Sequence, residues 1–215
     1  MVVAPPEDFE MSNMRVVTGS WTIVCALAFA TAALADPAEP PAAPPPPAAA
    51  PISGPPELIS RGEAAQRALA PLKQGLMSTL KAALADSPES AVAACQLAAP
   101  GIAANASGDV YRVGRTSDRL RNPQNAPTPW MKALLDDYAQ ASPDRTAGTV
   151  VALDDGAIGY VEPIRVQPLC TTCHGAAVEP GLLAEIRARY PDDQAVGYAV
   201  GDFRGLFWVV AKPAP

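Results

Sequence analysis

The sequence predicts an α+β domain built on an antiparallel sheet. Three observations lead there: apolar residues recur at helical spacing early in the domain, further helical stretches lie between strands, and the strands are joined largely by tight turns.

Taken in order, Leu58, Ala65, Leu69, Leu72, Leu76, Leu80 and Leu84 recur at steps near three and four, a long amphipathic helix kinked or restarted near Pro71. A second helix opens with Ser87 as N-cap, Pro88 at the first helical position and Glu89 beside the positive end of the dipole. It is expected to run through Cys95 and stop near Pro100, with Val92, Cys95 and Ala99 on one face. Asp109 to Arg115 alternates as a strand does, and Asn122 to Thr128 has loop chemistry. Thr128-Pro129 starts a third helix with Trp130, Leu134 and Tyr138 on one side. Thr149 to Leu153 and Ile158 to Val161 flank Asp154-Asp155-Gly156, a hairpin signal. Leu182 to Arg189 reads as a short helix, and Ala195 to Val200 and Leu206 to Val210 as strands of a second hairpin turned through Gly201 to Gly205.

Ahead of this domain the chain changes character. Arg15 precedes an uncharged stretch from Ser20 to Ala35, and Ala33 and Ala35 place small residues where a signal peptidase reads them, so residues 1–35 are expected to be a signal cleaved before Asp36. The apolar stretch is shorter than the roughly 20 residues a permanent span needs. The acidic segment before Met14 is unlike a signal n-region, which makes Met14 a second candidate start. Residues 36–56 are dominated by proline and alanine and read as an extended polyproline II linker, leaving 57–215 as a single domain.

Composition excludes several chemistries. The net charge of -6 argues against unaided binding to nucleic acid or to an acidic membrane. A single histidine rules out a His-rich metal site or a bis-histidine haem within the chain. No Ser/His/Asp or paired-carboxylate arrangement stands out, so no enzymatic activity is expected. Of the four cysteines, Cys25 leaves with the signal, and the odd number remaining does not make a complete disulfide framework.

The strongest chemical signal is Cys170-Thr171-Thr172-Cys173-His174. Two cysteines three apart can add across the two vinyl groups of a haem, and the histidine that follows is placed to coordinate the iron. One covalent haem c is the expected cofactor. Three readings compete: a thioredoxin-like redox pair, which should open a helix in a parallel βαβ unit; a zinc site of Cys95, Cys170, Cys173 and His174; and a plain disulfide. With His174 used, the sixth iron ligand comes from Cys95, Met77, Met131, a lysine or water. Arg115, Arg121 and Asn122 are candidates for contacts to the haem or its pocket, against the simpler role of capping turns. Trp130, Tyr198 and Phe203 either line the haem or pack the core, and Asp192-Asp193 reads as a solvated turn or helix stop.

Several motifs in a fixed order add a resemblance. They are Ala94-Cys95-Gln96 to Pro100; Gly114 to Ser117 with Leu120 to Pro127 and Trp130; Pro163-Ile164 ahead of Cys170 to Gly175; and Tyr190 to Asp193 leading to Gly197-Tyr198 and Gly201 to Gly205. From about Leu58 to Val210 the chain resembles a family of exported haem c domains with a PAS-like fold, typified by a cyanobacterial cytochrome with cysteine and histidine axial ligands. The resemblance implies thioether links at Cys170 and Cys173, the proximal ligand at His174 and the distal thiolate at Cys95. The signal segment places the domain in the periplasm, and a His/Cys pair, with a low potential and a Cys95 bond weakened on reduction, points to redox sensing with a small diatomic molecule as a further ligand; simple electron carriage is the alternative. Relatives that form the sensory part of membrane receptors carry a kinase or methyl-accepting region that does not follow here, so an unidentified redox or signalling partner protein is expected.

Overall fold

Proline and glycine decide where this chain starts, breaks and turns. The computed structural model describes residues 51–213, which fall within one unit spanning Pro47–Pro215. The expected signal segment with Cys25, and the linker up to residue 50, lie outside the described residues. The last linker residues already belong to the fold. A short strand, β1 (Ile52–Ser53), precedes a 3-10 turn at Pro56–Leu58, and Ile52 packs against the core. A proline count cannot see this, because a single apolar side chain recruits the strand.

Helix α1 (Ile59–Ala68) and helix α2 (Ala70–Leu84) are separated at Leu69, the fresh start expected at Pro71, which occupies the first turn of α2 where a missing N–H costs nothing. Helix α3 (Pro88–Ala106) is capped by Ser87, whose Oγ accepts from the Ser90 N–H at 3.0 Å. It does not stop at Pro100. That proline lies on the exposed side of a helix whose other faces are packed against α2 and α6, and the packing outweighs one lost hydrogen bond.

Strand β2 (Tyr111–Thr116) follows, then a 3-10 turn at Pro123–Asn125, helix α4 (Pro129–Gln140), strand β3 (Gly148–Ala152) and strand β4 (Ile158–Arg165). The first expected hairpin is present, with Thr149 opposite Val161 and Ala152 opposite Ile158. A one-turn helix α5 (Thr171–His174), helix α6 (Pro180–Arg189) and strand β5 (Phe203–Ala211) complete the order. The second expected hairpin is absent. Ala195 to Val200 forms an irregular loop whose ladder contact is a single bridge between Gly175 and Tyr198. Gly197 and Gly201 both hold positive φ, of 80° and 91°, which turns the chain away from extended geometry. β5 pairs with β4 and β2 instead.

The five-stranded sheet runs β1-β3-β4-β5-β2 and is antiparallel except where β1 meets β3. Strand alternation gives it two apolar faces. One buries Val113, Val150, Ile158, Tyr160 and Val209 against Ala65, Leu69 and Leu72 of the first two helices and the C-terminal part of α3. The other buries Val161 and Leu206 against Leu135 and Tyr138 of α4. The α+β class expected from the sequence is the class observed. The N-terminal half of α3 reaches beyond the sheet to pack on α5 and α6, and the site lies there.

Candidate functional site

Helix α5 is a single turn begun by a 3-10 turn at Pro168–Cys170, and the Thr171 hydroxyl secures the junction by donating to the Pro168 carbonyl at 2.7 Å. A single turn brings Cys170, Cys173 and His174 together on one short segment. Cys95, Cys170 and Cys173 are free and half-buried. Among the described residues no group of three or more His, Cys, Asp or Glu side chains is gathered to hold an ion.

His174 is held from two sides. Its Nδ1 lies 2.6 Å from the Ala195 carbonyl oxygen, which can only accept, so Nδ1 carries the proton and Nε2 keeps its lone pair. Burial pushes its pKa down to about 3; the guanidinium charges of Arg121 and Arg204 act in the same direction, and the Ala195 carbonyl opposes them. The ring is therefore neutral. Its backbone carbonyl accepts from the Tyr198 N–H at 2.9 Å, and the Tyr198 ring stands edge-on with centroids 6.4 Å apart.

Cys95 sits on α3 opposite this segment. Burial raises its thiol pKa, while Arg115 and Arg121 pull it down. The Cys173 thiol is also raised by burial, and the charge of Cys95 adds to that shift, so the two sulfurs share one electrostatic neighbourhood. Cys173 packs on an apolar wall of Val92 from α3, Leu182 and Ile186 from α6, and Tyr190 just beyond α6. Cys170 packs on Val166, Ala195 and Tyr198. Of the methionines considered as ligands, Met131 is buried on α4, where it lines a small cavity with Ala103 of α3 and Arg115 of β2, and Met77 is half-buried on α2.

The polar candidates divide. Arg115, on β2, has its guanidinium pKa lowered by burial, with Cys95 and Tyr190 as the largest opposing influences, and among the described residues no ion pair includes it. Arg121 donates to the Cys173 carbonyl at 2.6 Å and to Asp193 at 3.1 and 3.2 Å. Asn122 caps the 3-10 turn after it, accepting from the Gln124 N–H at 3.0 Å. Trp130, on α4, and Phe203, on β5, are partly buried and pack against the cluster of Leu135, Tyr138, Val161 and Leu206. Tyr198 lies between two guanidinium groups, with Arg119 at 4.2 Å and Arg204 at 5.4 Å from the ring centroid.

Two expectations need correction or addition. Asp193 is not a solvated turn residue: its side chain is 2% exposed and pairs with Arg121. Sequence reasoning also passed over Ala195, because its contribution is a backbone carbonyl. Nothing local separates Asp193 from the exposed Asp192; the contact that buries it comes from 72 residues away.

A family model described as Tll0287-like: Tll0287 matches residues 56–211. No curated protein matches the sequence. Among solved structures, the crystal structure of the cyanobacterial heme-protein Tll0287 is similar in fold, with a TM-score of 0.52 and 24% identity over 75% of this chain and 98% of that one.

Proposed function

The chain belongs to the Tll0287-like family, and from that premise we propose that it is an exported haem c domain acting in periplasmic redox sensing. The observation that carries this reading is His174: buried, neutral, its Nδ1 engaged with the Ala195 carbonyl and its Nε2 lone pair free, one residue beyond two free thiols on a single helical turn. The donor set fits one covalent haem. Cys170 and Cys173 would form the thioethers, His174 the proximal ligand and Cys95 the distal one. Arg115, which enters no ion pair among the described residues, is the residue assigned to a propionate or pocket contact, whereas Arg121 and Asn122 already serve protein groups. Bound there, haem supplies a one-electron ferric/ferrous couple.

The residues decide how that couple is used. A Cys95 thiolate stabilises the ferric state and sets a low potential compared with His/Met ligation. Reduction would weaken the hold of a Cys95 thiolate, and the burial that raises the Cys95 thiol pKa would favour its neutral form. Because Cys95 is carried by α3, which packs on α2, α5 and α6, its release would bias a helix that a partner protein can read and would leave room for a small diatomic ligand. No catalytic residue enters this scheme.

The test is a redox titration with absorbance and EPR spectra of the wild type and Cys95→Ala. The proposal expects a low-spin six-coordinate ferric haem, loss of one axial ligand on reduction, and in Cys95→Ala a changed ferric spectrum with a raised midpoint potential. An unchanged six-coordinate haem in both oxidation states would identify an electron carrier. Indifference of spectrum and potential to Cys95→Ala would remove Cys95 from the iron.

A further inference from the structure

The orientation of His174 depends on one carbonyl, that of Ala195, and this carbonyl lies in a loop rather than in a regular element. Something must hold it still. The Ala195 N–H donates to Asp193 Oδ1 at 3.0 Å. The same oxygen accepts from Arg121 Nε at 3.1 Å, and Asp193 Oδ2 accepts from Arg121 Nη2 at 3.2 Å, a two-point fork on the carboxylate. Arg121 Nη2 also donates to the Cys173 carbonyl at 2.6 Å and reaches the Ala195 carbonyl at 3.4 Å. One guanidinium thus ties the loop, through Asp193, to the backbone of the turn that carries His174. The pair is withdrawn from solvent, with side-chain exposures of 14% for Arg121 and 2% for Asp193. The flanks are also pinned: the Gln194 N–H donates to the Leu120 carbonyl at 2.8 Å, and Arg119 donates to the carbonyls of Gln194 and Val196.

We propose that Asp193 and Arg121 are positioning residues for the proximal histidine, holding the Ala195 carbonyl as acceptor for Nδ1–H and so setting the ring orientation and basicity of His174; this rests on the haem reading above. A carbonyl held against Nδ1–H increases the electron donation of the imidazole and favours ferric iron, as outer hydrogen-bond partners of metal-bound histidines do. Loosening the pair weakens that hydrogen bond without touching the ligand set.

The experiment uses the full haem-loaded chain carrying Asp193→Ala, Asp193→Asn, Arg121→Lys or Arg121→Gln, with Lys73→Met as a control that breaks a distant ion pair with Glu162. Covalent haem is first verified by gel stain, which separates failure of the haem reading from failure of this one. Midpoint potential and ferric EPR g-values are then measured. The expected result is a raised potential with altered g-values in Asp193→Ala, and altered g-values in Arg121→Gln, where loss of the guanidinium charge opposes the weakened hydrogen bond in its effect on the potential. Smaller changes are expected in Asp193→Asn, which still accepts from the Ala195 N–H, and in Arg121→Lys, which keeps the charge but loses the fork. Lys73→Met should lower thermal stability and leave both signals in place. If the Asp193 and Arg121 variants lose stability as the control does while potential and g-values stay at wild-type values, the pair is structural only and the proposal is overturned. Should Asp193→Ala fail to accumulate, the two milder variants decide the question by the same readouts.

Discussion

At the scale of single residues, the chemistry is carried by a few side chains whose surroundings were not visible in the sequence. The Cys170 to His174 motif, which the structure gathers on one short helical turn, was legible as a local unit. Asp193 and Ala195 were not, since one is buried by a partner 72 residues away and the other acts through its backbone. Glycines show the same limit. A Cβ at Gly148 would lie 2.2 Å from the Tyr160 hydroxyl, which is buried and hydrogen-bonded to Gln66 at 2.9 Å and Glu162 at 3.3 Å. Gly148→Ala should therefore displace a core tyrosine and destabilise the domain by about 2 kcal/mol, as overpacking does. Urea unfolding measures this; a loss under about 0.5 kcal/mol, the range of a neutral surface change, would contradict it.

At the scale of elements, what was legible follows local rules and what was not follows tertiary contact. Ser87 caps α3, Pro88 and Pro129 occupy the first turns of α3 and α4, and Asp154 to Gly156 turns the hairpin between β3 and β4. The same local rules misread two segments. Pro100 did not end α3, because a packed helix tolerates one missing hydrogen bond on its exposed side, and Ala195 to Val200 did not pair, because the loop is instead tied to α5. The cap on α3 matters for the site, as this helix brings Cys95 to it. Ser87→Ala removes the acceptor for the Ser90 N–H and should cost about 1 kcal/mol. In a thermal melt that is a fall of about 2–4 °C for a domain of this size. The midpoint potential should not move, since the cap lies at the far end of α3's first turns from the thiol; a displaced potential would mean that fraying of the helix start reaches Cys95.

At the scale of the whole molecule, the sheet and its two helical layers form a support, and the site lies to one side where the N-terminal half of α3 meets α5 and α6. Glu89 and Glu179 border the groove beside Thr171 and Thr172, and the net charge, -6 for the full sequence and still negative without residues 1–35, has the same sign. Electron exchange with a small cationic reagent should accordingly slow by about tenfold as salt is raised, while exchange with an anionic reagent should not slow. Stopped-flow rates at low and high ionic strength test this, and the opposite salt dependence would place the reacting surface among Arg115, Arg121 and Arg204 instead. The central claim, that Cys170 and Cys173 carry a covalent haem, is tested most directly by a haem stain of the denatured, exported protein. The wild-type band should retain haem and the Cys170→Ser/Cys173→Ser double variant should lose it; an unstained wild-type band from cells competent in haem attachment would contradict the claim.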